Sequence, residues 1–342
     1  MHSTPDRAFG ACVSLEDKLR FLSDPASYPH ASREVRVVET HMSFVFIAEA
    51  KTYKLKKPVR FSFLDFSTLK LREAMCREEL RLNRRLAPDV YLDVCALVQS
   101  SAGALAIGGA GVIVDWLIEM KSLPERQMLD VMIAEGRVSA HEVDLLAQKL
   151  ADFYLKAQVS TIAAAGYAER FFREQQINRE VLTARAFHLD HGRSSLVLDR
   201  LDARLSIDRA RLEERVRAHG VVDGHGDLRP EHVNFSDGIA IFDSLEFNAE
   251  LRQVDPFDEI AFLGVECALL GAPKIGPMLA EAVAQRLGVC VPKQLMPLYA
   301  AWRAVLRARL AVAHLLDSSP RTPEKWEPLA GRYLAIAEAA LA

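Results

Sequence analysis

The first third of the chain alternates apolar and polar positions with a period of two. "EVRVVET" (34–40), "FVFIAEA" (44–50) and "KTYKLKK" (51–57) are rich in Val, Phe and Tyr, which predicts three successive strands. Short turns, "HMS" and Ala50–Lys51, separate them, and a short helix over 14–24 precedes them. The period then lengthens. In "STLKLREAMCREELRLNRRL" (67–86), Leu71, Met75, Leu82 and Leu86 recur at helical spacing, and Pro88 ends the run. "VYLDVCALVQS" (90–100) and "GVIVDWLIEM" (111–120) predict two more strands, with the glycines of "IGGAG" (107–111) at the turn between them.

From about residue 126 the pattern is helical. "HEVDLLAQKLADFYLKAQ" (141–158) is amphipathic, much of 166–220 follows the same period, and "LYAAWRAVLRARLAVAHLL" (298–316) and "LAGRYLAIAEAALA" (329–342) close the chain. One stretch breaks this texture. "HGDLRPEHVNFSDGIAIFD" (225–243) sets two His, several Asp and an Asn beside "IAIF", which has the character of a buried strand. The layout is α+β, an antiparallel sheet with one helix followed by a mainly helical part. Pro124 in "EMKSLPE" (119–125) marks the expected boundary, giving 1–118, a hinge at 119–125, and 126–342.

Composition narrows the classes. With 342 residues, half of them apolar and 26% charged, one large domain or two lobes can bury a core. A net charge of −3 lacks the basic footprint of a nucleic-acid binder. Cys12, Cys76, Cys95, Cys267 and Cys290 show no CxxC and no metal spacing, which fits reduced thiols in the cytoplasm. The opening "MHSTPDRAFGACVSLEDKLRFL" has no basic segment leading into an apolar one, so no signal peptide is expected. No apolar run approaches the roughly 18 residues of a membrane span. The absence of GxxxxGK[ST] excludes a P-loop in this chain.

The polar stretch has the parts of a phosphoryl-transfer site. Asp227 could accept a hydroxyl proton, His232 follows five residues later, Asn234 two after that, and "GIAIFD" ends at a second acid, Asp243. A two-strand hairpin would bring 227, 232 and 243 to one end on a rigid mount. "HGDLRPEHV" followed by "IFD" resembles the catalytic and metal-binding segments of the aminoglycoside phosphotransferase family, within the bilobal protein-kinase-like fold. "YKLKKPVRFSFLDFS" and "LRLNRRLAPDVYL" are similar to a bacterial branch of that family. Some members of that branch are joined to a P-loop kinase-like domain, so the resemblance implies a separate partner of that kind here.

The resemblance implies ATP with Mg²⁺ (or Mn²⁺) bound between the lobes and a small-molecule hydroxyl as acceptor. Asp227 takes the place of the catalytic base, and His225 that of a structural residue fixing the loop. Asp243 takes the metal-binding place. His232 stands where the family carries a metal-binding Asn; either it coordinates, or it bonds phosphate while Asn234 or water supplies the oxygen. Imidazole suits softer ions better than Mg²⁺. A Lys on the third strand should meet the phosphates and pair with a Glu on the early helix. Lys54 and Lys56 share one strand face, so parity does not separate them; the resemblance favours Lys54. Glu78 and Glu79 both compete for the partner role, and Glu79 fits the family spacing better.

The turn "THMS" (40–43) falls where kinases carry a glycine loop, so backbone N–H groups and the Ser43 hydroxyl are candidates for phosphate. Backbone groups from Glu119 to Lys121 are the implied adenine contacts. Asp255 followed by Pro256, with Asp258 at the third position, predicts a capped helix start, and the family uses an Asp here to brace the catalytic loop as well. Glu246 and Glu250 line the exit of the hairpin and could meet a cation. Arg303 and Arg307, four apart with His314 further along, would suit an anionic acceptor and repel a polycationic aminoglycoside. A nucleotide-binding scaffold without transfer activity is the alternative, supported by the missing glycine loop and by His232. A protein kinase fits less well: there is no APE-like segment, and little room for an activation loop between Asp243 and the Asp255 helix.

Overall fold

A computed structural model describes residues 13–30, 32–61, 64–316 and 320–342. Residues 1–12, where no signal peptide is expected and Cys12 stands, and 62–63 within "FSFLDFS" lie outside the described residues. The chain divides into two compact units, Met1–Leu123 and Pro124–Ala342.

The first unit runs α1 (Leu15–Leu22), β1 (Arg36–Glu39), β2 (Ser43–Ala48), β3 (Lys51–Lys56), β4 (Arg60–Phe61), β5 (Leu64–Asp65), α2 (Leu69–Asn83), β6 (Tyr91–Gln99), β7 (Leu105–Ile107) and β8 (Val112–Lys121). Six strands form one antiparallel sheet in the order β1-β2-β3-β8-β6-β7. The two-residue period sends Phe46, Ala48, Tyr53, Leu55, Leu97 and Leu117 into one core with Leu22 of α1 and Tyr28. Lys54 and Lys56 leave β3 on the opposite face, where α2 meets them.

The inward face of α2 differs from the leucine stripe expected for it. Leu71 is exposed, while Arg72, Cys76, Glu79, Leu82 and Asn83 are buried. The reason is charge pairing. Arg72 reaches Asp115 of β8 through Nε at 2.7 Å and Nη2 at 3.1 Å, and Lys18 of α1 meets the same carboxylate at 2.8 Å. One turn pair further on, Glu79 meets the two lysines of β3. Buried charges persist only when paired, so these partners outweigh the apolar spacing in setting the helix rotation.

The second unit contains α3 (Leu129–Ala134), α4 (Ala140–Lys156), α5 (Ala164–Leu182), α6 (His191–Arg217), β9 (Val222–Asp223), β10 (Val233–Asn234), β11 (Ala240–Ile241), β12 (Gln253–Val254), α7 (Pro256–Leu269), α8 (Ile275–Leu287), α9 (Met296–Ala313) and α10 (Trp326–Ala340). Phe171 of α5 packs on Trp302 of α9 with ring centres 4.6 Å apart. Two small antiparallel pairs interrupt the helices. β9 pairs with β12, and β10 with β11 in the register Val233↔Ile241 and Asn234↔Ala240. The first pair brings the start of α7 beside the loop that follows β9; the second is the hairpin expected at 225–243.

Candidate active site

The loop between β9 and β10 is shaped by Gly226. Its φ of +90° is a glycine conformation, and a Cβ there would sit 3.0 Å from Leu245 Cδ1 and 3.1 Å from Arg252 Cγ. Its N–H donates to Glu259, a buried carboxylate that also accepts from the Tyr154 hydroxyl at 3.0 Å. Burial raises the Glu259 carboxyl above its ordinary range. Glu259 therefore supplies the loop brace expected of Asp255. Asp255 caps α7 by accepting from the Phe257 N–H at 3.0 Å, and it binds Arg215 and the Tyr299 hydroxyl. A helix that begins at Pro256 puts position 255 at its cap and position 259 one turn inside, facing the loop.

His225 is fully buried. Its Nε2–H donates to the Phe242 carbonyl at 2.9 Å, and its Nδ1 accepts from the Asp227 N–H at 3.2 Å. Those partners require the neutral ring, and burial pushes its pKa down to about 4. His225 thus ties the loop to the strand ending at Asp243 and orients the backbone of Asp227. It is a positioning residue.

His232 sits between the two acids. Its Nδ1–H donates to the Asp227 carbonyl at 2.9 Å, and its Nε2 accepts from Arg229 Nη2 at 3.1 Å. The Asp227 carboxylate lies 3.8 Å from one ring nitrogen and the Asp243 carboxylate 3.6 Å from the other. The acids 227 and 243 therefore converge on one imidazole. Asp243 holds a φ of +63°, a left-handed conformation unusual outside glycine. Arg229 Nε lies 3.1 Å from Asp227, close enough for an ion pair but not aligned for a hydrogen bond, and its Nη1 is 2.8 Å from Glu231.

These donors suit a hard divalent cation in a limited way. Among the described residues no group of three or more His, Cys, Asp or Glu side chains could hold a metal ion. Both nitrogens of His232 are engaged in hydrogen bonds within the loop, to the Asp227 carbonyl and from Arg229. Asn234 is equally committed: its Nδ2 donates to Pro124 O at 3.0 Å and its Oδ1 accepts from the Ser236 N–H at 3.0 Å. Asp243 is the more exposed of the two acids, with a side chain 42% accessible. Mg²⁺ is commonly held by one or two carboxylates together with substrate phosphates, and Asp243 fits that mode.

In the first unit, Glu79 is fully buried and takes one lysine on each oxygen. Lys54 Nζ lies 2.8 Å from Oε1 and Lys56 Nζ 2.5 Å from Oε2. Glu78 faces away and pairs with Arg81 at 2.7 Å, so the choice between the two acids falls to Glu79.

No family model matches this chain. An uncharacterised protein of Mycobacterium tuberculosis is 31% identical over 295 residues, covering 84% of this chain and 56% of the relative. A Mycobacterium bovis protein aligns with the same figures. The aligned segment spans little more than half the length of these relatives. Among solved structures, a choline/ethanolamine kinase family protein of Mesorhizobium loti matches with a TM-score of 0.54 at 15% identity, covering 95% of this chain and 94% of that one. Choline kinase of Cryptosporidium parvum matches at 0.52 and 11% identity, covering 90% and 88%. An aminoglycoside phosphotransferase of Alicyclobacillus acidocaldarius matches at 0.50 and 13%, covering 92% and 91%. The fold is kinase-like.

Within this kinase-like fold several expected contacts change. Ser43 is buried in β2, and its N–H donates to Thr40 Oγ1 at 3.0 Å, so that amide is not available to a phosphate. Strand β8 runs through Lys121, further than the expected hinge start at 119. Glu119 is paired with Tyr53 on one side and Asp93 on the other, and the Lys121 N–H donates to Val90 O at 2.8 Å. These ladder bonds occupy backbone groups assigned to adenine. The Glu119 side chain binds Lys51 and accepts from Cys95 at 3.1 Å.

Arg303 is not an acceptor residue. It is buried, with Nε and Nη2 on Asp258 at 2.8 and 2.7 Å, a partner on α7 that α9 packs against. Arg307 Nε binds Glu266 at 2.7 Å, and the Tyr333 hydroxyl holds the same acid at 2.9 Å. Burial works against the charge on Arg307, but Glu266 and then Tyr333 outweigh it and hold the guanidinium pKa above its ordinary value. His314 lies beyond α9 and stacks on Trp326 with ring centres 4.1 Å apart, off the arginine stripe. Glu250 pairs with Arg173 at the surface at 3.3 Å, and Glu246 is half-buried just past Asp243. Arg229 and Glu259 are candidates that sequence patterns did not single out, and Lys56, weighed there only as a rival to Lys54, joins them. A cation two residues after Asp227 was the available signal for Arg229. No described helix is long and apolar enough to cross a membrane.

Proposed function

We propose that the protein is an ATP-dependent phosphotransferase acting on a hydroxyl of a small molecule. The observation that carries this is the convergence of the Asp227 and Asp243 carboxylates on the two nitrogens of His232. Asp227 would orient the acceptor hydroxyl and take its proton as the new O–P bond forms and the bond from the γ-phosphorus to ADP breaks. Lys54, paired to Glu79, would meet the nucleotide phosphates. Asp243 would hold Mg²⁺ or Mn²⁺, which when bound neutralises phosphate charge. Most of the acceleration would come from positioning and charge neutralisation.

Of the arginine pair proposed for an anionic acceptor, Arg307 alone remains, since its Nη groups make no hydrogen bond among the described residues. A separate P-loop kinase-like partner belongs to the same proposal. The alternative of a nucleotide-binding scaffold is favoured by two observations: the occupied Ser43 N–H and the Arg229 donor on His232 Nε2. ATP with MgCl₂ or MnCl₂ should raise the melting temperature, since a ligand of the folded state stabilises it. A coupled screen of hydroxylated metabolites should then show ADP release. Binding without turnover on any acceptor, and without slow ATP hydrolysis, would favour the scaffold; no binding would remove both.

A further inference from the structure

The two lysines on Glu79 are not equivalent. Lys54 has a side chain 13% accessible, whereas Lys56 is 1% accessible and its ammonium also lies 4.8 Å from the centre of the Phe66 ring. Glu79 itself is wholly buried. A buried carboxylate that loses its only cation is strongly destabilised. If Lys54 were the sole counterion, drawing it toward a phosphate would leave such a charge behind.

We infer that Lys56 is a positioning residue: it is the permanent counterion of Glu79, which frees Lys54 to be the exchangeable arm that passes to an anionic ligand. Glu79 keeps a cation on Oε2 whichever way Lys54 points, because the buried Lys56 holds that oxygen. The pairing is built into the strand period, since residues 54 and 56 share one face and one helix residue can bridge them. The ligand side of this inference rests on the nucleotide reading above; the counterion side does not.

The test is a cycle of lysine and glutamate variants on the full chain, melted without ligand and titrated with ATP–MgCl₂. Lys54→Met alone should lower Tm by no more than about 3 °C, because Lys56 still compensates Glu79. Lys54→Met with Lys56→Met should lower it by roughly 10 °C, well beyond the sum of the singles, and adding Glu79→Gln should restore most of the loss. Should the double variant fail to fold, recovery of a folded protein on adding Glu79→Gln gives the same answer. With ATP, Lys56→Met should weaken binding about tenfold or more, and Lys56→Met/Glu79→Gln should return to within about threefold of Glu79→Gln. Additive lysine effects without ligand, or an ATP affinity indifferent to Lys56, would overturn the inference. If the wild type binds no ATP, the nucleotide reading fails, and the ligand-free cycle still decides the role of Lys56.

Discussion

The acids of the two units live under opposite conditions. Glu79 is sealed from water with an ammonium on each oxygen, while Asp227 and Asp243 keep 26% and 42% of their side chains accessible. The first arrangement fixes charge before any ligand arrives, and its desolvation cost is carried by the fold. The second keeps both carboxylates within reach of solvent. The contrast is one of exposure: the acid of the first unit is closed to solvent, and those of the hairpin in the second are open to it.

That contrast can be broken by experiment. Among variants that leave Asp227 intact, the largest effect is expected at Asp243→Asn. It should lower divalent-dependent turnover by about 100- to 1000-fold, on the scale of removing one preorganised electrostatic contact. Its melting temperature should hold, since Asn tolerates the left-handed backbone at this position. A stable variant with normal turnover would place the metal elsewhere. Next, Arg303→Met should cost about 3–5 kcal/mol in stability by leaving Asp258 buried and unpaired. Denaturant unfolding checks this, and Arg303→Met/Asp258→Leu should recover part of the loss.

The smallest effect concerns pH. His225 is neutral in the fold, with a pKa near 4 against an ordinary 6.5. Well above pH 6.5 neither the folded nor the unfolded ring is protonated, and the contribution is fully present. Between 6.5 and 4 the unfolded chain gains a proton that the fold refuses, so stability falls by about 3 kcal/mol and then levels off. His225→Gln should remove that slope from the difference between pH 7 and pH 4.5 unfolding curves. An unchanged slope would mean that the ring titrates freely.

Much of this fold was legible in one dimension. The two-residue period located β1, β2, β3, β6 and β8, and the change of period located α2. Strands β4, β5 and β7, of two or three residues, are too short to show a period. The hairpin was legible because its polar groups are close in sequence. Misreadings arose where a residue's partner lies far along the chain. Arg303 looked like part of an open stripe until Asp258, 45 positions away, closed on it. Leu71 looked inward by its spacing, but Arg72 finds Asp115, 43 positions off, and turns Leu71 outward. The hydrogen bonds at the two nitrogens of His232 were not legible either, because they depend on loop geometry. Strand parity put Lys54 and Lys56 together, but only burial separates their roles.

The most direct measurement is ATP hydrolysis or transfer by wild type and by Asp227→Asn, at saturating Mg²⁺ and with melting curves on the same samples. Turnover reduced by about 1000-fold at unchanged melting temperature and retained ATP binding is the expected result. Equal turnover in the two proteins would show that the carboxylate at 227 takes no part in the chemistry, and would contradict the assignment of this hairpin as the active site.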